Sequence, residues 1–236
     1  MNFSDVIGQE ATKQRLLQMI KEDRVPHAML FCGPEGVGKM ALAMAFANYL
    51  LAGEEVDNTA SPLISNAIAM LRKWEHPDLH FSFPTIKLPS MSGAPHPVSA
   101  DFAKEGHELI MRGAYFTMAQ WMKQMGATTQ QAIITGAESD ELSRVLALKS
   151  SQGGYKVSII WRPERMNLTS ANKLLKILEE PPQGTIFLMV CEEPEKLLET
   201  IISRTQRIDV KRIDDNAIED ALIHKRGIEP DAAHRI

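Results

Sequence analysis

The chain has 236 residues, of which 44% are hydrophobic and 24% are charged, and its formal net charge at pH 7 is −4. This length and composition suit one large globular domain or a domain with an appendage. The negative charge argues against a protein that binds nucleic acid by itself through a basic surface. Because no apolar run approaches the ~20 residues that cross a bilayer, and the polar N-terminus does not resemble a signal peptide, we expect a cytoplasmic protein without a membrane partner.

A glycine-rich loop follows the first predicted helix, residues 10–20, and lies between a buried strand, 28–31, and a buried helix, 41–51. Strand, glycine loop and helix form an arrangement that cradles phosphate, because glycines let backbone N–H groups surround an anion and a lysine adds a full positive charge. The apolar pair Val6 and Ile7, just upstream, is suited to hold an adenine base. We therefore predict a nucleotide-type site made of Val6, Ile7 and the loop residues Gly33, Pro34, Glu35, Gly36, Val37, Gly38, Lys39 and Met40.

One residue of this loop does not match a working nucleotide site. The pattern Gly-x-x-x-x-Gly-Lys normally continues with Ser or Thr, whose hydroxyl binds the magnesium ion that accompanies the nucleotide. This chain has Met40 at that position. A thioether is a soft, weak ligand, whereas magnesium prefers hard oxygen. We therefore expect no required cofactor, although the loop still suits weak binding of ATP, ADP, phosphate or sulfate.

Residues 54–149 are predicted to alternate helices with irregular segments. We predict an acidic loop over 54–65, helices over 66–74, 99–111, 115–125 and 138–149, a strand over 79–83, and a proline-rich surface excursion over 85–97. The methionines and tryptophan of 115–125 suit either the core or a partner surface, and the core is the simpler interpretation. Residues from about 85 to 130 are expected to form an insertion whose partner the sequence does not identify.

A second apolar strand, predicted over 155–161, ends without acidic residues. In a working ATPase of this architecture such a strand ends in Asp and usually Glu, which orient magnesium and activate the attacking water. Here the corresponding residues are Trp161 and Arg162, and Glu164 comes later, after a proline. Together with Met40 this pattern favours a chain that does not hydrolyse ATP. An active ATPase in which Glu164 or another acid substitutes is the alternative.

The last third of the chain continues the alternation of strands and helices. Helices are predicted over 171–180, 195–202 and 214–225, strands over 185–190 and 206–210, and a final helix is interrupted by the end of the sequence. Cys32 and Cys191 each end a predicted buried strand, so we expect two reduced core thiols and no cysteine-based zinc site.

Four segments, in order along the chain, resemble the bacterial clamp-loader subunits of DNA polymerase III, which belong to the AAA+ superfamily. These are residues 3–9, 27–39, 169–182 and 200–204. The Leu-Glu-Glu-Pro-Pro and Ser-Arg elements of the last two are more specific than the phosphate loop. Within the family the chain looks most like the delta-prime branch, because the ATP-hydrolysing gamma/tau branch keeps the threonine after the loop lysine and the acids after the strand.

The resemblance implies an α/β AAA+ P-loop domain over residues 1–211, with a five-stranded parallel sheet between helices. Residues 212–236 would begin a truncated helical lid domain, and a C-terminal collar domain would lie beyond the chain. No zinc is expected, because the four-cysteine module of relatives has no counterpart between Gly53 and Glu75. The implied partners are gamma/tau and delta-type subunits in a hetero-oligomeric ring, and primer-template DNA through the assembled complex.

Arg204, in the Ser-Arg element, is the catalytic residue that the resemblance implies. In such rings this arginine completes the active site of the neighbouring subunit, where a planar, permanently protonated guanidinium stabilises the charge of phosphoryl transfer. Without the resemblance, an ordinary surface or salt-bridged arginine would be the simpler interpretation. We therefore expect a stator, a non-hydrolysing subunit that lends Arg204 to an ATPase during sliding-clamp loading; the alternative is an active gamma/tau-type ATPase.

Overall fold

The computed structural model describes residues 1–52, 62–93, 95–127, 129–151 and 154–234. Its centre is a parallel sheet with the strand order β2-β3-β4-β1-β5. The strands are β1 (Ala28–Cys32), β2 (Leu79–Ser82), β3 (Lys156–Trp161), β4 (Thr185–Cys191) and β5 (Gln206–Asp209). This five-stranded parallel sheet confirms the predicted α/β class.

Helices cover both faces of the sheet. They are α1 (Glu10–Lys21), α2 (Lys39–Ala52), α3 (Pro62–Arg72), α4 (Ala103–Arg112), α5 (Met118–Gln124), α6 (Gly136–Leu146), α7 (Leu168–Glu179), α8 (Glu199–Ile202), α9 (Asp215–Arg226) and α10 (Pro230–Ala233). One face of the sheet packs against α2 and the insertion, and the other packs against α6, α7 and α8. Every residue of β1, β3 and β4 is consequently buried, as in parallel strands covered on both sides.

The two cysteines lie side by side in the core. Cys32 ends β1 and Cys191 ends β4, and the two residues are register partners in the sheet. Both thiols are free and buried. The prediction of two reduced core thiols is therefore confirmed.

The insertion belongs to the core rather than to an independent surface element. The indole N–H of Trp121 donates a hydrogen bond of 2.7 Å to the carbonyl of Pro84, and the Trp121 ring packs on Phe83 with centroids 4.5 Å apart. Thr85 forms an isolated antiparallel bridge with Ile133. The predicted surface excursion over 85–97 is therefore wrong at its start, because Thr85 is buried. The bridge to Ile133 supplies the hydrogen bonds that the buried backbone of Thr85 needs.

Two predicted boundaries also differ from the structure. Helix α3 already includes residues 62–65, for which the sequence predicts a loop, while 53–61 lie outside the described residues. The helix predicted over 195–202 is a 3₁₀ turn followed by the short α8, because Leu197 takes an extended conformation and packs its side chain inward. A turn is also predicted at residues 152–154, of which 152 and 153 lie outside the described part of the chain.

The helix predicted over 115–125 begins three residues late, at Met118. Thr117 and Gln120 form a capping box: the backbone N–H of Gln120 donates to the Thr117 hydroxyl at 3.2 Å, and the Thr117 N–H donates to the Gln120 side chain at 2.9 Å. Such a box fixes the start of a helix. Residues 113–117, which we call the strap, are left non-helical between α4 and α5.

Gly33, the first residue of the glycine loop, lies where a side chain does not fit. A Cβ there would be 2.4 Å from the carbonyl oxygen of Val210, and this backbone is fixed because the Val210 N–H donates to the Cys32 carbonyl at 2.7 Å. We expect Gly33→Ala to lower the free energy of unfolding by about 2–3 kcal/mol, the usual cost of overpacking. Urea denaturation measures this change.

Gly36→Ala is the matched control in the same loop. Gly36 has a φ of 84°, but no atom lies within 4 Å of a Cβ at that position. Only the backbone strain remains, so the expected cost is about 1 kcal/mol. Equal losses of unfolding free energy in the two variants would show that the close approach of the Val210 carbonyl does not exclude a side chain at Gly33.

Candidate functional site

The glycine loop lies at the carboxyl edge of the sheet, between the end of β1 and the start of α2. Gly36 and Gly38 have φ angles of 84° and 90°, a conformation that is strained for residues with a side chain. The first N–H groups of α2 have no partner within the helix and can face an anion. The structure thus brings the predicted loop residues together in the form of a phosphate cradle.

Lys39, the lysine of this loop, is already engaged by the chain itself. Its side chain is only 4% exposed, its ammonium group donates to the carbonyl of Pro34, and it lies 3.9 Å from the carboxylate of Glu192. Burial, reinforced by the positive charge of Arg162, lowers the pKa of Lys39 to about 8. The charged form of Lys39 therefore still predominates at pH 7, and nearby anions stabilise that form.

Arg162 follows β3, at a position where a working ATPase of this fold has an acidic residue. Its backbone is left-handed, with a φ of 59°, and its guanidinium is buried, pairing with the Glu192 carboxylate and lying 3.2 Å from that of Glu164. The carboxylate of Glu164 is fully buried and also accepts the Glu192 backbone N–H at 3.0 Å. We call Lys39, Arg162, Glu164 and Glu192 the ion cluster.

The positions that would hold magnesium are apolar. Met40 is 6% exposed and Trp161 is 5% exposed, and the Trp161 ring packs edge-on against Phe116 with centroids 4.9 Å apart. Neither residue offers the hard oxygen that magnesium requires. Among the described residues no group of three or more His, Cys, Asp or Glu side chains could hold a metal ion. These residues do not fit a magnesium ion.

Val6 and Ile7, the predicted base-binding pair, are linked to the loop by a residue of the strap. Val6 is buried in the core. The backbone N–H of Ile7 donates to the Tyr115 hydroxyl at 2.9 Å, and the Tyr115 ring lies so close to Gly38 that a Cβ there would be 3.4 Å from it. The pair and the loop are therefore linked through Tyr115, which contacts both.

The space left between the loop and the strap is small. It is a cleft of about 130 Å³, whose lining includes Gly38, Lys39, Tyr115, Phe116 and Glu192. Ligand pockets usually have volumes of roughly 300–1,000 Å³. The open part of the site is therefore smaller than a nucleotide would need.

Arg204 lies apart from this cleft, after helix α8. Its side chain is 37% exposed, with Nη2 at 2.7 Å from the carboxylate of Glu179 and Nη1 donating to the Thr200 carbonyl at 3.0 Å. Glu179 ends α7 within the Leu-Glu-Glu-Pro-Pro element. The two most specific sequence elements thus meet at one partly exposed arginine that the chain holds in place.

Comparison with known proteins decides the family. A family model described as DNA polymerase III, delta subunit, matches residues 8–214. The chain belongs to this family. It is 29% identical over 211 residues to DNA polymerase III subunit delta' of Bacillus subtilis, covering 89% of this chain and 50% of that protein. It is 27% identical over 222 residues to the tau/gamma subunit of Haemophilus influenzae, covering 94% of this chain and 25% of that one.

A solved structure supports the same fold at lower identity. A RuvB variant from Thermotoga maritima superposes with a TM-score of 0.52 and 14% identity, covering 99% of this chain and 57% of that one. These findings confirm the predicted clamp-loader family and the α/β fold. The chain spans half of the Bacillus relative and a quarter of the Haemophilus one.

No helix in the described residues is long and apolar enough to cross a membrane.

Proposed function

We propose that this clamp-loader chain is the delta-prime type: a stator that does not hydrolyse ATP and that lends Arg204 to a neighbouring ATPase subunit. The observation that carries the proposal is Arg162. At the strand end where a hydrolysing subunit needs a carboxylate for magnesium, this chain has a buried guanidinium paired with Glu192. A cation there repels magnesium instead of binding it.

Glu164 is the acid on which an active gamma/tau-type ATPase would depend. Its carboxylate is fully buried, lies beside Arg162 and accepts the Glu192 N–H. It is not among the residues that line the cleft. A general base must be within hydrogen-bond reach of the water that it activates, so this placement disfavours the alternative.

Arg204 has the properties that a residue acting on a neighbouring subunit needs. It is partly exposed, and the Glu179 carboxylate and the Thr200 carbonyl restrict its guanidinium before any partner arrives. A restricted arginine loses less conformational entropy when it meets a phosphate. We infer that its partners are gamma/tau and delta-type subunits of a ring, with primer-template DNA bound through the complex. No cofactor of its own is required.

Turnover measurements on the full-length protein, alone and with candidate gamma/tau and delta subunits, test this function. We expect the chain to co-purify with those subunits, to show no magnesium-dependent ATP hydrolysis above background alone, and to be required for the DNA-stimulated hydrolysis of the ring. Metal-dependent turnover by the chain alone, abolished by Lys39→Ala, would instead establish the active ATPase.

A further inference from the structure

The strap crosses the glycine loop and contacts it through two aromatic residues. Tyr115 contacts Gly38 and accepts the Ile7 N–H, while Phe116 packs edge-on against Trp161. Helices α4 and α5 hold its two ends, and the capping box at Thr117 fixes the second of them. The strap is therefore anchored on both sides of the cleft.

Tyr115 engages the polar group that a base would need. A purine bound beside Val6 and Ile7 would present ring nitrogens that accept a backbone N–H, and the Ile7 N–H is such a donor within this predicted base-binding pair. The Tyr115 hydroxyl already accepts it at 2.9 Å. Burial raises the pKa of Tyr115, so the hydroxyl stays neutral and the contact persists at physiological pH.

Glu192 supplies the negative charge that a phosphate would otherwise bring. Its carboxylate lies between Lys39 and Arg162, at 3.9 Å from the lysine nitrogen and in contact with the guanidinium. The side chains of Lys39 and Arg162 are 4% and 8% exposed. Two buried cations this close are stable only with an anion between them, because burial greatly increases the cost of an unpaired charge.

We propose that the chain occupies its own nucleotide cleft, with Tyr115 in place of the base and Glu192 in place of a phosphate, so that a latent anion site lies behind the Glu192 carboxylate. The ligand class of that latent site is phosphate, free or as part of a nucleoside triphosphate, without magnesium. The proposal deepens the non-hydrolysing role proposed above and rests on the same site. Its test measures binding rather than turnover, so each proposal can fail alone.

Calorimetric titration of the full chain with inorganic phosphate, and separately with ATP, both without magnesium, tests the latent site. Glu192→Ala should bind phosphate about 10- to 100-fold more tightly than the unmodified chain, the range expected when a charge-assisted contact becomes available. Combining it with Tyr115→Ala, which removes the ring as well as the hydroxyl, should strengthen ATP binding further but leave phosphate binding as in the single variant, because only the base takes the place of the ring and gains the Ile7 N–H.

Glu193→Ala is the matched control. Glu193 is the next residue along the chain, but its carboxylate is more exposed and pairs with Lys196. Removing it should not change the affinity for phosphate. The proposal is overturned if the unmodified chain binds phosphate as tightly as Glu192→Ala does, or if the Glu193 variant gains as much.

A second measurement does not depend on the folding of a Glu192 variant. In the unmodified chain, amide hydrogen exchange at Ile7 should be slow and unaffected by excess ATP, and Tyr115→Phe should accelerate it by removing the acceptor. Exchange at Ile7 that becomes slower when ATP is added would show that the base position is open, and would contradict self-occupation. Unchanged exchange in Tyr115→Phe would contradict the role of the hydroxyl.

Discussion

Replacing Arg204 with alanine should slow ATP hydrolysis at the adjacent site of an assembled ring by about 10³-fold or more, the usual contribution of an arginine finger. The Arg204 side chain is 37% exposed and that of its partner Glu179 is 44% exposed. Loss of so exposed an ion pair changes stability by only about 0.5 kcal/mol. The variant should therefore fold and assemble normally, and its defect should lie in turnover. Single-turnover hydrolysis by a ring of full-length subunits measures it.

Two further variants separate the chemistry of Arg204 from its charge and its position. Arg204→Lys keeps the charge but loses the planar fork, so we expect it to recover only a small part of the turnover. Arg207→Ala removes a nearby exposed arginine that pairs with Asp209 at 2.8 Å, and it should leave turnover unchanged. Full ATPase activity of the assembled Arg204→Ala ring would refute the proposal that Arg204 is an arginine finger.

The sheet could be predicted from the sequence because its strands are buried on both faces. Such strands are continuous apolar runs, and residues 28–32 and 185–191 are recognisable without any knowledge of their neighbours. The strand order could not be predicted in this way, because it depends on pairings between distant segments, such as β1 with β4. Periodicity does not encode those pairings, and here the resemblance to a family supplied the expected architecture.

The glycine loop and the missing acids could also be predicted, because both are local patterns. What local patterns could not predict is how the chain compensates for the missing acids. Glu192 lies 153 positions after Lys39, and Tyr115 meets Ile7 across 108 positions. Contacts of that separation leave no periodic signal, and helical periodicity places Tyr115 inside a helix.

Two local signals in the sequence could have predicted the placement of Tyr115 and Glu192. The Thr-x-x-Gln pattern at 117–120 is a capping box, and it places the helix start after Tyr115 instead of at it. Glu192 directly follows an apolar strand, and polar residues at the ends of parallel strands converge on the edge where ligands bind. Both signals concern ends of elements, which hydrophobic periodicity defines least well.

Replacing Arg162 with methionine should lower the free energy of unfolding by about 3–5 kcal/mol, the cost of breaking a buried ion pair by removing one partner. Methionine has similar length and fits apolar surroundings, so the loss reports charge rather than a cavity. The Glu164 carboxylate, which is fully buried, would remain beside Glu192 without the cation that lies between them. Urea denaturation gives the change, provided that the slope of the transition stays constant.

A second substitution tests that electrostatic explanation. Adding Glu164→Gln to Arg162→Met removes a buried negative charge while keeping an oxygen that accepts the Glu192 N–H, so the double variant should regain part of the lost stability. Arg144→Met is the surface control: Arg144 is 67% exposed and pairs with Glu141 at 2.6 Å, so its loss should cost about 0.5 kcal/mol or less. If Arg162→Met were no less stable than this control, the ion cluster would not neutralise the cleft, and the replacement of bound phosphate by Glu192 would lose its physical basis.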